Sequence, residues 1–208
     1  METMKRVLGE EHPIVLAGMA NLAATYQNQG RWKEAKELEL KVMETRVRVL
    51  GGEHPDTLTS MANLASTYWK QGQWSEAEKI FAKVVEASKN VLGEEHPDTL
   101  ISIANLASTY RSQGRWNEAE KLEVEMLGTR KKVLGERHPD TLRSTGNLAS
   151  TYRNQGRGNK AEKLFVEVVE MRKEVLGEGH PDTLTSMADL SLTLWKDDWE
   201  KRWNEALG

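Results

Sequence analysis

The sequence predicts an all-α solenoid, a stack of antiparallel helix pairs, and three observations predict it. First, the hexapeptide pattern LGxxHP begins at Leu8, Leu50, Leu92, Leu134 and Leu176, so His12, His54, His96, His138 and His180 fall 42 positions apart. A fixed period of roughly 20–50 residues is the mark of a repeat architecture. Second, each period holds two apolar stripes at helical spacing. Third, a proline follows every histidine, and a Gln-Gly pair such as Gln71-Gly72 separates the two stripes. Proline is tolerated in the first turn of a helix, and glycine ends one by taking the left-handed conformation.

The elements follow in order. Residues 1–9 (METMKRVLG) match METRVRVLG at Met43 and read as the end of a preceding second helix. The chain is thus expected to be a segment of a longer array. Repeats are expected at 12–50, 54–92, 96–134 and 138–176, with a partial fifth at 180–208. In repeat 2 the first helix carries Leu58, Met61, Leu64, Ala65 and Tyr68 on one side. The second carries Ala77, Ile80, Phe81, Val84, Val85 and Val91. Its start is open: SEAE (Ser75 to Glu78) and NEAE (Asn117 to Glu120) form capping boxes, but Trp74 and Trp116 could already be helical. In repeat 5 Asp197-Asp198 replace the Gln-Gly break. Either one helix runs to about residue 207, or an insertion re-registers WNEA (Trp203 to Ala206) into a short helix. Trp195, Trp199, Trp203 and Leu207 fall on one helical stripe, a candidate self-association surface or a crude cap of the array end.

Composition narrows the function. Of 208 residues, 38% are hydrophobic and 29% charged, which suits an elongated protein with much surface. The net charge of -3 argues against a general nucleic-acid binder. The absence of cysteine removes disulfides, thiolate catalysis and Cys-ligated zinc. No apolar run reaches the roughly 18 residues of a membrane span, and the amino terminus lacks a signal-peptide core. The expectation is a cytoplasmic protein without membrane contact. Catalytic signatures such as a phosphate loop, H-E-x-x-H or G-x-S-x-G are missing, so no enzyme, cofactor or metal is expected. The five histidines cannot share an ion. Stacked helices stand about 8–10 Å apart, whereas ligands lie about 2 Å from a metal.

The stretch NLASTYWKQGQWSEAEKIF (Asn63 to Phe81) resembles a tetratricopeptide repeat. Leu64, Ala65, Tyr68, Ala77 and Phe81 fall on that family's pattern, with Ala65 in place of its glycine. NLASTYRSQGRWNEAEKL at Asn105 matches equally well. The 42-residue period is similar to the long-repeat branch seen in kinesin light chains and in arrays that end many fungal signalling NTPases. The resemblance implies a right-handed superhelix whose concave face is lined by first helices. There are departures. Glu39 and Glu123 stand where Phe81 and Phe165 stand, so odd and even second helices should pack differently. Gly146, Gly158 and Gly128 replace better helix formers, at about 1 kcal/mol each inside a helix, and predict local softness.

The side of each first helix turned from its apolar stripe supplies the candidate groove: Thr59, Ala62, Asn63, Ser66, Trp69 and Lys70 in repeat 2. Asn21, Asn63, Asn105 and Asn147 form a ladder, which Asp189 ends, and Ser66, Ser108 and Ser150 form the next tier. The resemblance implies that such asparagines clamp the backbone of an extended peptide; an amide both donates and accepts. The alternative is that they tie neighbouring helices together. Lys70, Arg111, Arg143 and Arg153 would make the groove positive, predicting an acidic peptide with an aromatic anchor near Trp69. The partner is thus expected to be a protein or peptide. The competing reading is a structural or sensory arm that acts by stacking or self-association through the array ends, Trp195, Trp199 and Trp203 included.

Overall fold

The computed structural model describes residues 2–207, with the side chains of Glu2, Met4, Lys5 and residues 196–207 outside the described set. Ten helices and no strands occur among the described residues: α1 (Glu2–Leu8), α2 (Pro13–Asn28), α3 (Trp32–Leu50), α4 (Pro55–Lys70), α5 (Trp74–Leu92), α6 (Pro97–Ser112), α7 (Trp116–Leu134), α8 (Pro139–Asn154), α9 (Gly158–Leu176) and α10 (Pro181–Leu207). They fall into two compact units that meet in sequence at Gln113 and Gly114.

The recurring histidine is a helix cap. The Nδ1 atoms of His12, His54, His96, His138 and His180 accept the backbone N–H two residues on, at 3.1–3.2 Å. Each cap supplies an acceptor to one of the N–H groups that a helix start leaves without an intrahelical partner. The proline at the next position has no N–H to satisfy. At the other end of the first helix, Gly72 takes φ +73°. That turn lets the N–H of Gln73 reach back to the Tyr68 carbonyl at 2.9 Å, closing the helix with a Schellman-type bond.

Second helices begin at the earlier of the two expected places, with Trp32, Trp74 and Trp116 already helical. The expected capping boxes do not cap: the N-cap residues are Arg31, Gln73 and Arg115, and none makes a side-chain cap bond. The tight glycine turn delivers the chain one residue sooner, so Ser75 and Asn117 lie inside their helices. Helix α10 runs unbroken to Leu207.

In the first unit each helix packs on the next from α2 to α6. Val15, Leu16 and Met19 of α2 close on Val42 of α3. Leu58, Leu64 and Ala65 of α4 are buried, as are Ala77, Phe81, Val84 and Val85 of α5. Val91 departs from expectation at 44% exposure. The buried row at the end of α5 runs through Ser88, and Val91 turns to solvent. In the second unit α7 to α10 pack in succession, and Ala149, Ala161 and Phe165 form a core with Tyr152, Leu164 and Leu190.

Odd and even second helices differ as expected. Phe81 and Phe165 are buried hydrophobes, whereas Glu39 and Glu123 occupy the same register at 4% and 1% exposure. Glu39 Oε1 accepts from Gln27 Nε2 at 2.6 Å, and that amide also donates to Thr67 Oγ1 at 2.6 Å. Glu123 accepts from Thr151 Oγ1 at 2.7 Å. Both acids are thereby held by first-helix side chains, and burial raises the Glu39 carboxyl above the ordinary range.

Candidate functional site

Arginine staples join second helices to the start of the following first helix. Arg46 Nη1 donates to the Asp56 carbonyl at 2.7 Å and to Ser60 Oγ at 2.8 Å. Arg130 makes the same pair of bonds to Asp140 O and Ser144 Oγ. Arg172 repeats it with Asp182 O and Ser186 Oγ, at 2.7 and 2.6 Å. Each serine also donates to that same carbonyl four residues back. Burial lowers the Arg130 and Arg172 guanidinium pKa values. Repeat 2 lacks the staple, because Ser88 stands in the arginine's register.

Beside Ser88 lies a cleft of about 170 Å³ between α4 and α6, with α5 at its floor. Thr59, Ala62, Asn63 and Ser66 line one wall, and Ile101, Ser102 and Asn105 the other. A second recess of about 310 Å³, which shares Ser66 and Asn105, continues to Trp69, Lys70, Phe81 and Ser108. Six predicted site residues are therefore brought together here: Asn63, Ser66, Trp69, Lys70, Asn105 and Ser108. Asn21 lies exposed on α2, and Asn147 half-buried on α8.

Among the described residues the amides of Asn21, Asn63, Asn105 and Asn147 make no hydrogen bond. Ser66 Oγ is turned back onto the Ala62 carbonyl at 2.9 Å. Trp69 is half-buried, and its Nε1 donates to Ser112 Oγ at 3.1 Å. The ring is thereby fixed at the cleft.

The expected positive strip is largely neutralised by the protein's own groups. Arg143 pairs with Asp140 at 2.7 Å. Arg153 Nη1 reaches the Asp189 carbonyl and carboxylate at 3.1 and 3.2 Å, and its guanidinium stands 5.4 Å from the Phe165 ring centre. Arg111 is half-buried and engaged by neighbouring groups. Lys70 is exposed; its Nζ donates to Gln27 Oε1 at 2.9 Å and stands 5.8 Å from the Trp32 ring centre, and its charge acts on the Glu39 carboxylate without an ion-pair contact among the described residues. The acid that replaces the ladder asparagine at 189 is thus Arg153's counter-ion, a pairing the residue tiers did not reveal. Trp195 is 67% exposed, while the side chains of Trp199 and Trp203 lie outside the described residues.

Sequence reasoning missed the staples. Their signal was present: Arg46, Arg130 and Arg172 recur at multiples of 42, each followed 14 residues later by a serine. Among the described residues no cluster of His, Asp or Glu could hold a metal. No helix there is long and apolar enough to cross a membrane.

Helix pairs of one length, with histidine-capped first helices and an arginine clamp at three of four junctions, define an all-α helical-repeat protein of the solenoid class. The chain belongs to the tetratricopeptide repeat family: models described as tetratricopeptide repeat match residues 15–90, 62–130 and 141–182. It is similar to a crystal structure from Podosopora anserina of a kinesin light chain-type protein with nearly identical TPR-like repeats, at 32% identity, covering 95% of this chain and 93% of that one, with a TM-score of 0.81. A point variant of that protein gives 32% identity, coverage of 94% and 92%, and a TM-score of 0.82. BtubC (BKLC) from P. vanneervenii shares the fold at 20% identity, with coverage of 99% and 87% and a TM-score of 0.80. No curated protein matches the chain. Family and fold make it a repeat scaffold of the protein-interaction kind.

Proposed function

We propose that the chain binds an extended segment of a partner protein along the α4–α6 face. The observation that carries this is the cleft between those helices, where the amides of Asn63 and Asn105 stand without internal partners. A solvated amide that already faces a channel can pair with both the C=O and N–H of a peptide backbone at little cost in rearrangement. Trp69, held by Ser112, offers a rigid aromatic wall for an apolar anchor. Preference for acidic segments rests on Lys70 rather than on Arg143 and Arg153, whose charges are already answered.

Peptides selected from a random library on the full chain provide the test. Fluorescence anisotropy of those peptides on Asn63→Ala plus Asn105→Ala should show at least about tenfold weaker binding, the loss of about 1.4 kcal/mol. Lys70→Glu should weaken acidic peptides and spare neutral ones. Unchanged affinity in the double variant would overturn the reading.

A second reading has its own observation. Helix α10 exposes Leu184, Met187, Leu192 and Trp195, at 37–67% exposure, along one side. Exposed apolar side chains gathered on one helix favour association with another copy. Light scattering across a concentration series should show a mass increase that Leu192→Ser plus Trp195→Ser abolishes; a constant monomer mass would exclude it.

A further inference from the structure

We infer that the cleft at Ser88 is a receptor slot for an arginine side chain of a partner segment. The inference rests on the α4–α6 face being the partner-binding surface and names what one position of that segment must be.

The sister repeats supply the argument. At each of the other three junctions, a guanidinium from the second helix bonds the carbonyl at the start of the next first helix and the serine four residues on. In repeat 2 the acceptors are still assembled. Ser102 Oγ donates to the Asp98 carbonyl at 2.8 Å, as Ser60, Ser144 and Ser186 do in theirs. Only the donor is missing. Ser88, 2% exposed, ends short of both acceptors' register, and the space left is the cleft that Ser88, Asp98 and Ser102 line.

The chemistry of the slot selects its occupant. Its walls include Leu58 and Val84, and Asp98 is the single charged residue that lines it. A guanidinium suits such a place better than an ammonium. It is planar, weakly hydrated and able to donate to two acceptors from one edge, whereas an ammonium is a strongly hydrated point charge. Asp98, with 69% of its side chain exposed, supplies the counter-charge at the rim. The cleft continues past Asn63 and Asn105 toward Lys70. One bound segment can therefore place an arginine at Ser88 and a carboxylate near Lys70.

The test uses three acetylated, amidated pentapeptides, Gly-Gly-Arg-Gly-Gly and its versions with Lys or Gly in the centre, titrated into the full chain and followed by amide chemical shifts. The arginine peptide should shift Ser88, Asp98 and Ser102 and bind at least about tenfold tighter than either other peptide. Ser88→Arg should fill the slot from within. It should abolish the arginine preference while raising the melting temperature by about 2 °C or more. Ser102→Ala, which removes one acceptor with little change in bulk, should reduce the preference at least threefold and covers the case in which Ser88→Arg does not fold. Equal binding of the arginine and lysine peptides, an arginine preference that survives Ser88→Arg, or one that Ser102→Ala leaves undiminished, would overturn the slot. Either result leaves the asparagine double variant to judge the wider groove on its own.

Discussion

Cutting Arg130 back to methionine should destabilise the second unit by about 2 kcal/mol. Arg130 is 3% exposed and spans from α7 to α8, with Nη1 on the Asp140 carbonyl and on Ser144 Oγ. Hydrogen bonds made by a charged group are worth about 1.5–3 kcal/mol each, so two set an upper bound near twice that. Two effects reduce it. The Asp140 carbonyl keeps its bond from Ser144 Oγ at 2.8 Å, so of the two acceptors only Ser144 Oγ loses its donor. Removing the guanidinium also recovers the cost of burying a charge, a cost already evident in its lowered pKa. Methionine retains most of the apolar stem, so the cavity is small. At about 2–4 °C per kcal/mol for a chain of this size, the expected fall in melting temperature is about 4–8 °C by scanning fluorimetry. Arg46→Met, at a half-buried site, should fall less. A melting temperature for Arg130→Met within about 1 °C of the parent would refute the staple as a structural device, and with it the inference drawn from its absence at Ser88.

Other outcomes follow from single features. Burial raises the Glu39 carboxyl above 4.5, so the folded chain holds that proton longer than the unfolded chain; the associated stability is full below the unfolded value and is lost as pH rises through the folded one. Glu39→Gln should flatten that part of the melting-temperature profile and stabilise the protein at neutral pH by about 1 kcal/mol, since it removes a carboxylate charge that burial disfavours; an unchanged profile would contradict this. Gly128→Ala and Gly146→Ala should each stabilise by about 1 kcal/mol, because both lie inside continuous helices and an added Cβ meets nothing within 4 Å. His96→Ala should cost about 0.5–2 kcal/mol in denaturant titration through loss of the cap, while His96→Asn should recover most of it.

Much of the fold was legible because a period multiplies weak signals. One proline after His96 suggests a helix start; five at a spacing of 42 compel one. The placement of these residues was legible too, since the side opposite a buried stripe follows from helical geometry: Asn63, Ser66 and Asn105 line one cleft, and Trp69 lines the recess beside it. Charge was read less well. Position alone put Arg143 and Arg153 on that face, but whether a guanidinium is answered depends on a carboxylate within a few ångströms, and Asp140 and Asp189 lie 3 and 36 residues away. Ser75 and Asn117 misled for a related reason: a capping box is a local preference, and the Gly72 turn overrides it by closing on Tyr68. The staples went unseen because an arginine in an amphipathic helix reads as solvated surface until its acceptors are located.

The most direct test of the central claim is where a selected peptide lies when bound. A photo-reactive benzoylphenylalanine placed in such a peptide, with mass-spectrometric mapping of the adducts, reports this. Adducts at Asn63, Ser66, Asn105 or Ser108 are predicted. Adducts confined to the exposed sides of α3 and α5 would contradict the account, because the partner would then ride on the second helices and the α4–α6 cleft would stand empty.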